Sequence, residues 1–516
     1  MREPVNSSKG TAFPSVSESL GSSGFEIKFR NSTLRNMSFA ENKRSHSQIA
    51  RLLFKNSMAE AFQINRNMTS NAAQSAAGRG PTIELYATGG VPPNQSKLFG
   101  QSFKKAATQI SSSLLSQSGQ GKGSKSNQTN IDEKIPPIDR PIVGYWMLFC
   151  ASMVFGIIVW GGLTRLTESG LSIVEWAPVR GAKLPTSEEE WELEFEKYKQ
   201  FPEYKRIHVG LSLDDFKRIY FMEWFHRNIG RLIGLVFGLP AIYFIRKGYI
   251  SRGNIGKTVG LGVLLLGQGA MGWYMVSSGL KKELEEVPHA VPRVSHYRLA
   301  AHLGLAYLFF AGLCLHGWST LRMNRLVKGK IKNAEAINKL LLDPSVRSFN
   351  RKVIAATCLV LLTSLSGAFV AGLDAGLIYN TFPHMGDNIV PPTSELWHPL
   401  FSRDLAGNPQ SMWFNIIENP TTVQLNHRVL AISTFFIISA LWWKSRSLKL
   451  NPASRRLCHA LMAAVSMQVG LGIATLVDLV PISLASAHQA NSVGLLTAAL
   501  GLIHALRPLP RMVVPI

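Results

Sequence analysis

The sequence predicts an all-α polytopic membrane protein: eight transmembrane helices, arranged as two parallel four-helix repeats, behind a disordered N-terminal extension. Three observations predict it. Eight apolar runs follow Pro141, each near the roughly 20 residues that cross a hydrocarbon core. Basic residues crowd every second connection between those runs, as they do on the inner side of a membrane. The chain also resembles itself at an offset of about 200 residues, the scale at which internal duplications are sought. A mean hydropathy of +0.09 beside a net charge of +23 in 516 residues is consistent with this segregation of apolar and basic segments.

The extension comes first. Residues 1–135 are rich in Ser, Asn, Gln and Gly and contain no apolar core of a secretory signal. The stretch from Lys43 to Lys55 sets Ile49, Leu52, Leu53 and Phe54 among basic positions. A basic, Ser-rich, amphipathic leader suggests a mitochondrial transit peptide followed by a disordered matrix-side extension. Glu3, Glu18, Glu26 and Glu41 are more acids than such peptides usually carry.

The apolar runs are 142–164, 219–245, 256–279, 297–321, 352–374, 422–444, 456–480 and 482–507. A backbone in lipid must satisfy its own hydrogen bonds, so each is read as a helix. Connections after the second, fourth and sixth runs hold Arg246, Lys247 and Arg252, then Lys328, Lys330 and Lys332 among others, then Lys444, Arg446 and Arg455. Glu335 and Asp343 are their only acids, whereas the connection after the first run clusters Glu188, Glu189, Glu190, Glu192, Glu194 and Glu196. The positive-inside rule therefore places both termini in the matrix. Positive charge confined to one set of membrane loops also argues against a nucleic-acid partner. The organisation expected is leader 1–135, first half 140–325 and second half 350–510. Cys150, Cys314, Cys358 and Cys458 fall singly in or beside apolar runs, the pattern of small buried hydrophobes rather than of disulfides or a zinc site.

The duplication is legible residue by residue. GGLTRLTESGLSIVEWAPVRGAKLP (161–185) aligns with GAFVAGLDAGLIYNTFPHMGDNIVP (367–391), matching Gly161 with Gly367, Glu168 with Asp374 and Gly170 with Gly376. His226-Arg227 aligns with His427-Arg428, Gln268 and Gly272 with Gln468 and Gly472, and His302 with His488. Four spans per half is an even number, so the halves share one orientation.

In that orientation His226, His302, His427 and His488 each lie about five to seven residues into a span entering from the outer face, or roughly 8 to 10 Å deep at 1.5 Å per residue. The repeat pairs His226 with His302 and His427 with His488. Two imidazoles on facing bundle helices can be axial ligands of one haem iron. A bare first-row metal ion would need further ligands, for which Glu223 is the only candidate. Polar helix packing explains one intramembrane histidine better than four placed alike by duplication. His208, His289, His296, His384, His398, His316, His459 and His504 read as solvated or interfacial side chains, and His46 belongs to the leader.

Glu223 stands three residues before His226 in Met222-Glu223-Trp224-Phe225-His226-Arg227, so on a helix both share a face and can address one ligand. A charge at the centre of a spanning helix costs roughly 3 kcal/mol, which makes such an acid neutral, paired or functional. The second half carries Gln424 instead. Electron transfer alone would need both irons held but not this acid. Proton removal needs a base at one site, which divides the chain into one catalytic and one electron-supplying half.

TRLTESGLSIVEW, EWFHR, the RLAAH around His302, LNHR and the AHQ at His488 together resemble the haem A synthase family, in its mitochondrial and alpha-proteobacterial type, over about residues 140–510. The resemblance implies oxidation of the C8 methyl of haem O to a formyl group, by two successive hydroxylations and loss of water, for cytochrome c oxidase biogenesis. It implies that His427 and His488 ligate a resident haem b, that His226 and His302 hold substrate haem O and product haem A, and that Glu223 is the family's essential acid. A carboxylate in that place could accept a proton or stabilise positive charge developing at the methyl carbon. The implied setting is the mitochondrial inner membrane. The implied partners are a haem O synthase (the farnesyltransferase), a ferredoxin-type electron donor, cytochrome c oxidase assembly factors and membrane lipid; a homo-oligomer is compatible with it. Some bacterial members carry a cysteine pair in the loop after the first span; here residues 165–218 contain none, which removes a thiol route for electrons.

Two other readings stand beside it: a di-haem electron-transfer cytochrome oxidising a quinol, and a haem carrier or oxidase-assembly scaffold. The contrast of Glu223 with Gln424 disfavours both.

Overall fold

A computed structural model describes residues 137–177, 180–281, 292–403 and 408–510; the leader expected over 1–135, and His289, lie outside them. Among the described residues regular structure is helical apart from two isolated bridges. In chain order the α-helices are α1 (Pro141–Leu166), α2 (Glu188–Lys199), α3 (Pro202–Arg206), α4 (Leu213–Arg246), α5 (Arg252–Gly279), α6 (His296–Val327) and α7 (Ala334–Leu342). They continue as α8 (Pro344–Gly372), α9 (Thr393–Leu396), α10 (Asn415–Glu418), α11 (Pro420–Arg446), α12 (Pro452–Val477) and α13 (Ile482–Ala505).

The starts of these helices are written in the sequence. Pro344, Pro420 and Pro452 occupy first-turn positions where a missing N–H costs nothing. Asp343, Asn419 and Asn451 precede them and accept hydrogen bonds from Ser345, Thr421 and Ser454 amides, each cap contributing about 1 kcal/mol. Arg246, Arg325 and Arg446 close α4, α6 and α11 on the favourable end of the helix dipole.

Seven helices, α1, α4, α5, α6, α8, α11 and α12, are long and apolar enough to cross a membrane, which makes the protein multi-pass. The eighth expected span is present as a helix, α13, but is less apolar because His488, Gln489, Asn491 and Ser492 share two of its turns. Those polar groups face other helices: Gln489 Nε2 donates to the Ile158 carbonyl at 3.0 Å, and the Ser492 and Tyr307 hydroxyls meet at 3.1 Å.

α1, α4, α5 and α6 pack in a ring, each on the next and α6 back on α1; α8, α11, α12 and α13 do the same. α6 against α8, α1 against α13 and α6 against α13 join the two rings. One continuous apolar core runs through both, from Met147 and Cys150 through Tyr307, Phe309 and Leu313 to Val353, Ile438 and Leu496. α1 and α6 approach most closely at glycines: a methyl added at Gly144 would lie 3.1 Å from the Gly317 carbonyl, and one at Gly317 3.0 Å from that of Gly144. Small residues let helices come together where lipid gives no hydrophobic drive.

At the end bearing the short connections, Asp139 ties three helices. Its carboxylate accepts from the Ser251 amide at 2.7 Å and Asn254 Nδ2 at 2.9 Å, and meets His316 Nε2 at 2.9 Å. Burial alone would raise its pKa, but the hydrogen bonds from His316 and Ser251 outweigh that and hold it below the ordinary value. His316, its side chain 7% exposed, is therefore paired with Asp139 rather than solvated, a correction to the sequence reading. His296 is corrected likewise: it is 8% exposed and packs on Phe369. Cys150, Cys314 and Cys458 are buried as expected, and Cys358 is exposed on α8.

Candidate functional site

The four histidines lie at the other end, beneath the long connections. Each imidazole rests on a glycine of a neighbouring helix. A methyl at Gly161 of α1 would lie 2.9 Å from Nε2 of His226, and one at Gly272 of α5 3.1 Å from Cε1 of His302. In the second ring a methyl at Gly367 of α8 would lie 3.2 Å from Cε1 of His427, and one at Gly472 of α12 2.8 Å from Cε1 of His488. His226 and His302 lie within electrostatic range of one another, and so do His427 and His488. Gln268 Nε2 is 3.2 Å from Nε2 of His302, while Gln468 Nε2 is 3.3 Å from either nitrogen of His488.

This arrangement fits a macrocycle. Each glycine leaves space a side chain would fill, each imidazole is half-buried, and Nδ1 of His302 and Oε1 of Gln268 are buried without a partner. Among the described residues no three of His, Cys, Asp and Glu gather to hold an ion. Two imidazoles suffice for an iron whose other four donors come from a porphyrin.

Glu223 is 3% exposed and its carboxylate is fully engaged. Oε2 accepts from the Ser172 hydroxyl and the Ile173 amide, both at 2.8 Å. Oε1 accepts from Arg227 Nη2 at 2.6 Å and Nε at 3.1 Å. Arg227 also donates to the carbonyls of Ile173 at 2.9 Å and Glu175 at 3.1 Å. One turn from His226, the acid is paired, one of the states its place in a span predicts, and it pins the segment after α1 onto α4.

The second ring repeats the arrangement without the charge. Gln424 Nε2 and Arg428 Nη2 each donate to the Tyr379 carbonyl at 3.0 Å. Oε1 of Gln424 and Nε of Arg428, the two atoms that would meet if residue 424 were an acid paired as in the first ring, are both buried without partners. The backbone repeats too: Glu168 and Asp374, aligned in sequence, adopt left-handed φ of 54° and 52°. Asp374 joins the rings, 2.9 Å from Arg165 and 3.5 Å from Arg293.

The α1–α4 connection adds a group that sequence reading missed. α2, α3 and the start of α4 enclose an aromatic cluster of Phe195, Tyr198, Phe216 and Tyr220. Within it the Tyr198 hydroxyl lies 2.9 Å from Oε2 of Glu203 and 2.6 Å from Nδ1 of His208. Burial, with Glu223 and Glu168 nearby, pushes the Glu203 carboxyl up to about 8. Burial lowers His208 and, with Glu203 beside it, raises the Tyr198 phenol. The aromatic spacing on α2 was the available signal.

Residues 144–500 match the model of the COX15-CtaA family, described as cytochrome oxidase assembly protein. A human protein named heme A synthase COX15 is 44% identical over 370 residues, 72% of this chain and 84% of the relative. A Nitrosospira multiformis protein named heme A synthase is 40% identical over 372 residues, 72% of this chain and 94% of the relative. A Schizosaccharomyces pombe protein named heme A synthase-mitochondrial ferredoxin fusion protein is 43% identical over 384 residues, 73% of this chain and 61% of the relative. With its paired histidines on glycines and a family match that spans both rings, this chain belongs to the COX15-CtaA family of cytochrome oxidase assembly proteins.

Proposed function

We propose that the chain is a haem A synthase of the mitochondrial inner membrane, an oxidoreductase that converts the C8 methyl of haem O to a formyl group. The observation that carries this is the doubled histidine-on-glycine setting with an acid in only one of the two copies. The names of the relatives support haem A as the product, and the mitochondrial ferredoxin named in the fused relative supports the compartment. In this reading the chain is two four-helix repeats, and both termini face the matrix. His226 and His302 hold the substrate and then the product, and His427 and His488 hold a haem b.

A haem b held by His427 and His488 would supply reversible one-electron storage. The chain does the rest. The histidine pair fixes the substrate iron and so the edge of the ring relative to α4. Glu223 presents a fixed negative charge one turn away; with both oxygens already accepting hydrogen bonds, it suits stabilisation of positive charge at the methyl carbon better than repeated proton uptake. Arg227 and Ser172 hold it still.

Electrons reach the site from a ferredoxin-type donor. The fused relative supports this class of partner, and Lys328, Lys330 and Lys332 are exposed on one connection, where an acidic protein would dock. Charge reversal at the three should slow reduction of the bound haem; an unchanged rate would remove the docking site. A haem O synthase supplies the substrate in this scheme.

The test of the function is chromatography of haems extracted from cells producing the protein with a haem O synthase. A haem A peak is expected, and Glu223→Gln, which keeps shape and removes charge, should abolish it while haem O accumulates. Haem B and haem O alone from the unaltered chain, with donor and oxygen supplied, would replace this reading by a cytochrome or a carrier.

A further inference from the structure

The two histidine pairs differ in what stands behind them. On α8 the Ser366 hydroxyl lies 2.7 Å from Nδ1 of His427. Its single hydrogen is committed to the Thr363 carbonyl, also at 2.7 Å, so towards the imidazole the oxygen can only accept. Nδ1 of His427 therefore carries the hydrogen, and Nε2 is left with its lone pair for a metal. On the partner side, Gln468 is held in turn: its Oε1 accepts from Asn491 Nδ2 at 2.7 Å, and Asn491 also donates to the Ala464 carbonyl at 3.0 Å.

The first ring has neither support. Trp160 stands where the register of Gly161 with Gly367 places Ser366, and its indole N–H goes to the Met222 carbonyl at 3.0 Å. Leu305 stands where the register of His302 with His488 places Asn491, and Oε1 of Gln268 is left buried without a partner.

We propose that Ser366 and Asn491 are positioning residues that fix the second-ring imidazoles for permanent iron ligation, whereas the first ring, lacking both, is built to take up and release its haem. This rests on the reading that each pair holds a haem iron. An acceptor behind Nδ1–H holds ring orientation and strengthens the donor nitrogen, and outer partners of this kind change metal affinity by roughly 10- to 100-fold. A stronger nitrogen donor favours the ferric state, so it also lowers the reduction potential. Retention at one site and exchange at the other is what a resident cofactor and a turned-over substrate require.

The experiment uses the purified full-length chain loaded with haem, its second-ring signal being the one lost in His427→Ala. Haem loss to apomyoglobin and a redox titration are read for Ser366→Ala, Ser366→Thr and Asn491→Leu. Ser366→Ala should speed loss from the second ring at least about tenfold and move its potential positive, Ser366→Thr should restore both, and Asn491→Leu should speed loss, all with the first-ring signal unchanged. Second-ring retention and potential unchanged in Ser366→Ala would overturn the proposal, as would equal changes at both rings, which mark a merely structural role. A shift in potential in a protein that makes no haem A would leave this proposal standing and remove the synthase reading. A chain that binds no haem at either pair would remove both.

Discussion

The Glu223 carboxylate and the Arg227 guanidinium form a buried ion pair at 2.6 Å within one turn of α4, with side chains 4% and 13% exposed. Removing one partner of such a pair strands the other charge, at a cost of about 3–5 kcal/mol. Arg227→Ala should therefore destabilise by that order and release the segment around Ser172 and Ile173. Glu223→Gln should cost less, because Gln424 and Arg428 show that the fold accepts an amide beside the arginine. Limited proteolysis between α1 and α2, with thermal unfolding in detergent, separates the two; equal losses would mean that the charge pair does not hold the segment.

Glycine-to-alanine changes discriminate a site from ordinary helix. In an open helix interior the change stabilises by roughly 0.5–1 kcal/mol, and a methyl at Gly470 or Gly269 would meet nothing within 4 Å. At Gly472 it would lie 2.8 Å from the His488 ring. On the proposal that each pair holds a haem iron, Gly472→Ala should displace the imidazole and lose the second-ring share of the bis-histidine haem spectrum, while Gly470→Ala keeps the spectrum and melts slightly higher. Gly272→Ala, at 3.1 Å from His302, should fall between them. A full spectrum from Gly472→Ala would show that the ring has room to move aside.

The helices were legible because Pro, Asn and Asp mark their starts and lipid-facing positions demand apolar residues along their whole length. The histidines were legible because duplication put them in register with Gly161, Gly272, Gly367 and Gly472. What lay behind them was not. Arg227 reaches carbonyls of Ile173 and Glu175 about fifty positions earlier, a distance no local pattern encodes. His316 and Asp139 are separated by most of a ring, and a histidine near a helix end looks interfacial until its partner folds onto it. The polar residues Gln489 and Ser492 of α13 lie where it meets α1 and α6 of the other ring.

Asp139 provides a control at the opposite end. It is 3% exposed and satisfies groups on α5 and α6 and the turn before α5. Asp139→Ala should leave those donors buried and unpartnered, at about 1–3 kcal/mol for each that water cannot reach. The melting temperature should fall while the haem spectrum of the folded fraction stays as it was. A changed spectrum would mean that the two ends of the bundle are coupled.

Glu203 gives the loop between α1 and α4 a pH dependence whose sign can be worked out. Its carboxyl titrates near 4.5 when exposed and at about 8 in the fold, so the folded protein binds the proton more tightly than the unfolded chain. The stability this confers is complete below 4.5, falls as pH rises, and is gone above about 8. His208 acts oppositely: burial depresses it below its ordinary 6.5, so its contribution is lost as pH falls below 6.5 and is constant above. Between 6.5 and 8 only the Glu203 slope remains of the two, at most about 1.4 kcal/mol per pH unit. Glu168, Glu223 and Arg165 set its background. Hydrogen exchange of α2 and α3, corrected for the intrinsic pH dependence, should accelerate across that window while α8 does not. In Glu203→Gln, which keeps the contact with Tyr198 and cannot ionise, the acceleration should vanish. If it persists there, another group carries the slope and the buried Glu203 is protonated throughout.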